Sequence, residues 1–136
     1  MAEAYIVEAV RTAGGRRKGA LSDVHPADLG ATVIDALVAR SGIDPAAIDD
    51  VIVGCVTQAG EQAFAFGRSV VLASSLPESV PAVTIDRQCG SSQQALHFAA
   101  QAVMSGVQDL VIAAGAESMT RVPMMSNFRL HAEAGI

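Results

Sequence analysis

Cys89 stands in the stretch Thr84-Ile85-Asp86-Arg87-Gln88-Cys89-Gly90-Ser91-Ser92, where a short apolar run gives way to a long segment without charge. A thiol at the junction of a strand and a helix faces unpaired backbone N–H groups and the positive end of the helix dipole, and both favour the thiolate. A thiolate attacks electrophilic carbon and can hold an acyl group as a thioester. Gly90 beside it lets a substrate carbonyl approach the main chain, where the Cys89 N–H can help bind the oxyanion that forms. The residues alone leave a second reading equally open: a small buried hydrophobe, which is how most free cysteines are used.

Cys55 offers the contrast, because it sits mid-strand in Val51-Ile52-Val53-Gly54-Cys55-Val56 with no helix start near it, and packing is its expected role. The two cysteines are too few for a disulfide framework and have no companion spacing for zinc, so no metal site is expected. A nucleophilic cysteine ordinarily needs a base. Of the histidines, His25 precedes Pro26 and is placed to cap a helix, His97 lies inside an apolar helix and His131 lies in the tail, so none has a position that argues for that role. Arg16-Arg17-Lys18 reads as a solvated loop. Gly14, Gly15 and Gly19 do not make the dinucleotide fingerprint, which disfavours a nicotinamide or flavin site.

The elements that must position Cys89 follow from hydrophobic spacing. Ala4 to Val10 is β-branched and mostly apolar, which predicts a first strand before the loop Arg11 to Gly15. From Pro26 the residues Leu29, Val33, Ala36 and Leu37 repeat at helical spacing up to Gly42. Val51 to Val56 is continuously apolar, as in a strand covered on both faces. Phe66 to Ser75 predicts a shorter helix stopped by Pro77, Ala82 to Asp86 a third strand and Leu110 to Ala114 a fourth. Between these last two, Cys89 to Ser105 reads as a helix apolar nearly all round, with no charge from Gln88 to Gln108. Such a helix belongs in an interior, so residues beyond these elements are expected to cover part of it. The alternation of strands and helices predicts an α/β fold with a mostly parallel sheet. After Glu117 no period is visible.

The 136 residues suffice for one core. Only 17% are charged while 51% are hydrophobic, against about 25% charged in an average soluble domain, which predicts self-association. The formal charge of −5 and the lack of a basic stripe argue against nucleic acid. The longest apolar stretch, Leu110 to Ala116, falls short of the roughly 18 residues that cross a bilayer, so no membrane span is expected. Met1 to Val10 carries two Glu, no Lys or Arg and no cleavage-site pattern, which predicts a cytoplasmic location.

Four stretches together resemble the thiolases, or acetyl-CoA acyltransferases: Val7-Glu8-Ala9-Val10-Arg11-Thr12, Gly54-Cys55-Val56-Thr57-Gln58-Ala59-Gly60-Glu61-Gln62, Arg87-Gln88-Cys89-Gly90-Ser91-Ser92 and Ala114-Gly115-Ala116-Glu117-Ser118-Met119-Thr120. The Cys-Gly-Ser wording is similar to the thiolase nucleophile motif rather than the Ala-Cys-Ser-Ser type of the ketosynthases, and with Gln93-Gln94 it looks closest to thiolases of actinobacterial fatty-acid and sterol side-chain degradation. The resemblance implies that Cys89 is the acyl-accepting nucleophile. It implies a three-layer α/β/α half-fold and coenzyme A and acyl-CoA as substrates with no permanently bound cofactor. It also implies a dimer or tetramer that pairs edge strands beside the nucleophile, here Ala82 to Ile85.

It covers only the family's first part. The Gly-His-Pro-like and Cys-Xaa-Gly-Gly-Gly-like motifs of the second half do not occur in these residues, nor does the strand that the family inserts in mid-sheet after its loop domain. The expectation is therefore an incomplete thiolase half over 1–117, the start of the loop domain over 118–136, and a C-terminal half as the missing partner. Without that half, little or no turnover is expected. The competing readings are a non-catalytic thiolase-like assembly chain and a ketosynthase-like condensing enzyme.

Overall fold

A computed structural model describes residues 3–135, apart from the side chains of Leu130 and His131. Helix α1 (Pro26–Ser41) starts where His25 Nδ1 accepts the Ala27 N–H at 3.2 Å and Pro26 opens the first turn, the cap that the sequence suggests. It ends at Gly42, whose φ of 67° is the left-handed conformation that glycine adopts without strain. Strand β1 (Asp50–Gly54), helix α2 (Phe66–Ala73), strand β2 (Ala82–Ile85), helix α3 (Ser91–Ser105), strand β3 (Val111–Gly115) and helix α4 (Ser126–Glu133) follow.

The three strands form a parallel sheet in the order β2-β1-β3. The two-residue period of a strand sends alternate side chains to opposite faces. Val51, Val53 and Ile112 pack with Ile34, Phe66, Val70 and Val71 in one cluster, so α1 and α2 cover that face. Ile52 packs with Ala95 and Ala99 in the other, so α3 covers the opposite face. The result is the expected three-layer α/β/α arrangement.

The predicted first strand is corrected. Ala4 to Val10 is extended but joins no ladder, and Tyr5, Ile6 and Val7 are exposed. Its β-branched residues suit a strand, but a strand needs a neighbour to satisfy its N–H and C=O groups. A trench of about 1180 Å³, lined by Ile6 and Val10 on this segment and by Ile112 and Ala114 of β3, lies where such a neighbour would be.

Helix α2 stops two residues earlier than Ser75 because the Ser74 hydroxyl donates back to the Val71 carbonyl at 2.7 Å and then accepts from Leu76 N. The third strand stops at Ile85 and the fourth is shifted by one residue, since Leu110 N is engaged by the Asp49 carboxylate. Helix α4 was not legible, because Ser126 to Glu133 has no apolar stripe. Helix α3 buries only Ser91, Ala95 and Ala99, leaving Leu96, Phe98 and Met104 exposed. Among the described residues no helix is long and apolar enough to cross a membrane.

Candidate active site

At the carboxyl end of the sheet, β2 runs out at Ile85 and the chain turns within five residues into α3. The sequence reading started the helix at Cys89; it starts at Ser91, with Gly90 as N-cap, so Cys89 occupies the turn in front of it. Gln88 adopts φ 49°, a left-handed conformation uncommon for a residue with a Cβ. The turn is locked from two sides. Asp86 Oδ1 accepts the Gln88 N–H at 2.7 Å and both Asp86 oxygens accept from Gln88 Nε2. Ser91 Oγ donates to the Gln88 carbonyl at 2.6 Å and accepts the Arg87 N–H at 2.9 Å.

Cys89 is exposed and free. Gly90 supplies no side-chain cap, and the Gly90 and Ser91 amides donate to the Arg87 and Gln88 carbonyls at 3.1 and 3.0 Å, so what the start of α3 offers an anion is chiefly the positive end of its dipole. Arg87 Nη1 donates to Gln94 Oε1 at 2.7 Å, and these two residues line a cleft of about 240 Å³ with Gly90, Gln93 and His97. The arrangement suits an exposed sulfur nucleophile at the start of a helix.

Cys55 is placed differently. It follows β1 rather than lying mid-strand, its N–H donates to the Ile85 carbonyl at 3.0 Å, and its side chain is fully buried. Burial first, then the charge and acceptor oxygens of Glu117 and the charge of Asp86, push its thiol up to about 12. His25 spends Nδ1 on its helix cap and turns Nε2 toward Glu61 at 3.9 Å, while His97 lies on α3. The side chain of His131 lies outside what the structure describes. Among the described residues no three His, Cys, Asp or Glu side chains gather as a metal site.

Two residues that the sequence reading gave no role brace this end of the sheet. Glu117 accepts the N–H groups of Val56 and Thr57 at 2.7 and 3.1 Å and Gln62 Nε2 at 2.9 Å. Gln62, fully buried, also donates to the Thr57 carbonyl and accepts the Ser118 N–H at 2.7 Å. Their sequence signal was a lone carboxylate directly after an apolar strand and a glutamine in a small-residue loop, both within motifs quoted for other reasons.

Residues 4–135 match the family described as "Thiolase, N-terminal domain". The chain belongs to the thiolase family. A steroid 3-ketoacyl-CoA thiolase of Mycobacterium tuberculosis is 55% identical over 126 residues, covering 93% of this chain and 31% of that thiolase. A 3-ketoacyl-CoA thiolase of Bacillus subtilis is 43% identical over 128 residues, covering 93% of this chain and 33% of its own length. The crystal structure of the Bacillus anthracis acetyl-CoA acetyltransferase superposes with a TM-score of 0.83 at 38% identity, covering 88% of this chain and 30% of that one. The chain thus spans about a third of the length of the curated thiolases it matches.

Proposed function

We propose that this chain carries the acyl-accepting cysteine of a thiolase that cleaves a 3-ketoacyl-CoA to acetyl-CoA and a shortened acyl-CoA, or runs the reverse Claisen condensation. The observation that carries the reading is the position of Cys89, an exposed thiol in a locked turn at the start of α3. In the degradative direction the Cys89 thiolate attacks the C3 keto carbon. The C2–C3 bond breaks, its electron pair leaves as the enolate of acetyl-CoA, and that enolate takes up a proton. The acyl group stays on sulfur until the thiolate of a second coenzyme A attacks the thioester and frees Cys89. Coenzyme A and acyl-CoA act as substrates in this scheme, with no resident cofactor. The 3-ketoacyl-CoA thiolases among the relatives support that substrate class.

The proton transfers need a base, which the family's histidine and second cysteine motifs supply. Full turnover is therefore proposed to require a C-terminal thiolase half, with residues 1–136 alone largely inactive. Among the described residues no strand pairs the outer edge of β2 or of β3. The β3 edge and the trench beside it support placing there the strand that the family inserts in mid-sheet, with 118–136 opening the loop domain. The β2 edge supports a homo-oligomer. The two free thiols suit a reducing compartment such as the cytoplasm.

The test is acylation by acetyl-CoA followed by acid quench and peptide mapping by mass spectrometry. Acetyl on Cys89, lost in Cys89→Ser with the fold retained, is expected. An adduct on Cys55, or none on Cys89, overturns the reading.

A further inference from the structure

Gly54 and Gly115 end β1 and β3 and lie opposite one another in the ladder. Each is roofed by the first turn of α3. A Cβ built on Gly54 would lie 2.5 Å from the Ser91 carbonyl carbon and 2.8 Å from Ser92 Cα. One built on Gly115 would lie 2.8 Å from Ser92 Cβ and overlap Ser92 Oγ outright, while its next neighbour, the Gly54 carbonyl oxygen, is 3.3 Å away. Neither glycine has a positive φ, so close approach, and not backbone conformation, is what excludes a side chain from both positions.

We infer that the paired glycines Gly54 and Gly115 form a seat for Ser91 and Ser92 that sets the position of Cys89. They act as positioning residues for the nucleophile. The inference rests on the reading of Cys89 as that nucleophile and adds what holds it in place. The chain of contacts is continuous. Ser92 rests on the two glycines, Ser91 is bonded to the Gln88 carbonyl and the Arg87 N–H, and Cys89 is the next residue after Gln88. Carbon atoms in contact settle at about 3.5 Å or more, so a Cβ on either glycine must lift the first turn of α3 by most of an ångström. The turn that bears Cys89 moves with it. Misplacement by about 1 Å can cost on the order of a hundredfold in rate.

Gly54 and Gly115 meet α3 through different atoms, which makes the seat testable by compensation. The obstruction at Gly115 is the Ser92 side chain, which Ser92→Gly removes; the obstruction at Gly54 is backbone, which no substitution removes. The experiment measures the rate of Cys89 acetylation by acetyl-CoA in the full chain, with peptide mapping, iodoacetamide labelling and thermal midpoints alongside; the free alkylating reagent is not held by the protein and reads only whether the thiol is exposed. The wild type separates the two readings: no acetyl adduct on it is failure of the acyl-enzyme reading, whereas an adduct whose rate of formation Gly115→Ala leaves unchanged is failure of the seat.

Gly115→Ala is expected to slow Cys89 acetylation by about a hundredfold while iodoacetamide labelling stays near the wild-type rate. Gly115→Ala combined with Ser92→Gly is expected to return to the rate of Ser92→Gly alone, while Gly54→Ala stays slow with or without Ser92→Gly. Should Gly115→Ala fail to fold, the comparison of the double variant with Ser92→Gly alone decides. Equal rates support the seat; a double variant that folds but stays slow overturns it, as does Gly115→Ala acetylated at the wild-type rate.

Discussion

The Glu117 carboxylate, just beyond β3, accepts the backbone N–H of Val56, 61 residues earlier in the chain, at 2.7 Å. With its bonds to Thr57 N and Gln62 Nε2, it ties the loop after β1 to the end of β3 beside the Cys89 turn. Removing an acceptor from partly buried donors costs roughly 1–3 kcal/mol. Glu117→Ala is expected to lower the urea midpoint by that measure, and Glu117→Gln, which keeps one acceptor oxygen, by less. An unchanged midpoint in Glu117→Ala would show that water satisfies these donors equally well.

The two thiols differ by more than exposure. Cys55, pushed up to about 12, remains a neutral thiol across the neutral range and is expected to resist iodoacetamide until the protein unfolds, while the exposed Cys89 reacts. Preferential modification of Cys55 at neutral pH contradicts this. Stability follows the same proton. The unfolded chain releases it near the ordinary value of about 8.5, whereas the folded chain holds it. Stability present below about 8.5 is therefore lost as pH rises toward 12. Cys55→Ala should flatten that alkaline decline in chemical denaturation measured from neutral pH upward; an unchanged slope assigns the decline to other groups.

Arg121 grips Glu61 through two bonds of 2.6 Å and reaches the Asp23 carbonyl at 3.3 Å, fastening the segment after β3 to the loops before α1 and α2. The Arg121 hydrogen bonds hold the Glu61 carboxyl below its usual range. Its contribution is thus present above the unfolded carboxylate value of about 4.3 and is lost as pH falls through the depressed folded value. Amide exchange at Ser118 to Val122 is expected to quicken in that acidic window. Glu61→Gln should produce the same quickening at pH 7. Exchange that is equally slow in the variant would show that the segment is held by other contacts.

What the sequence made legible was what periodicity and local chemistry encode. Val51, Ile52 and Val53 form an unbroken apolar run because α1 and α2 lie on one face of β1 and α3 on the other, so the buried strand announced itself. Pro26 and Gly42 bracketed α1 for reasons confined to its own ends. Cys89 could be proposed from the sequence because a thiol between a strand and a helix is a local feature. Ala4 to Val10 misled because strand propensity describes the segment while a ladder requires a neighbour. Glu117 and Gln62 were given no role because, apart from the Gln62–Thr57 bond, their partners lie 55 to 61 residues away, and no spacing rule reaches that far. The glycine seat was hidden likewise, since Gly54 and Gly115 meet only through the sheet register.

Among the described residues β2 is an edge strand, with β1 on one side and an unpaired row of N–H and C=O groups on the other. It is also short, uncharged from Ala82 to Ile85, and 44% exposed at Val83. Natural edges are commonly blunted by lysine, proline or a bulge, and this one carries none within the strand. Pairing of two copies along β2 would satisfy the row, and because β2 leads directly into the Cys89 turn it would brace that turn from the adjoining chain's side. Light scattering after size-exclusion chromatography is expected to show a dimer or larger species for the wild type and a shift toward monomer for Val83→Lys, which places a charge on the edge. A wild type that stays monomeric at all concentrations, or a Val83→Lys variant that associates as strongly, removes β2 as the contact.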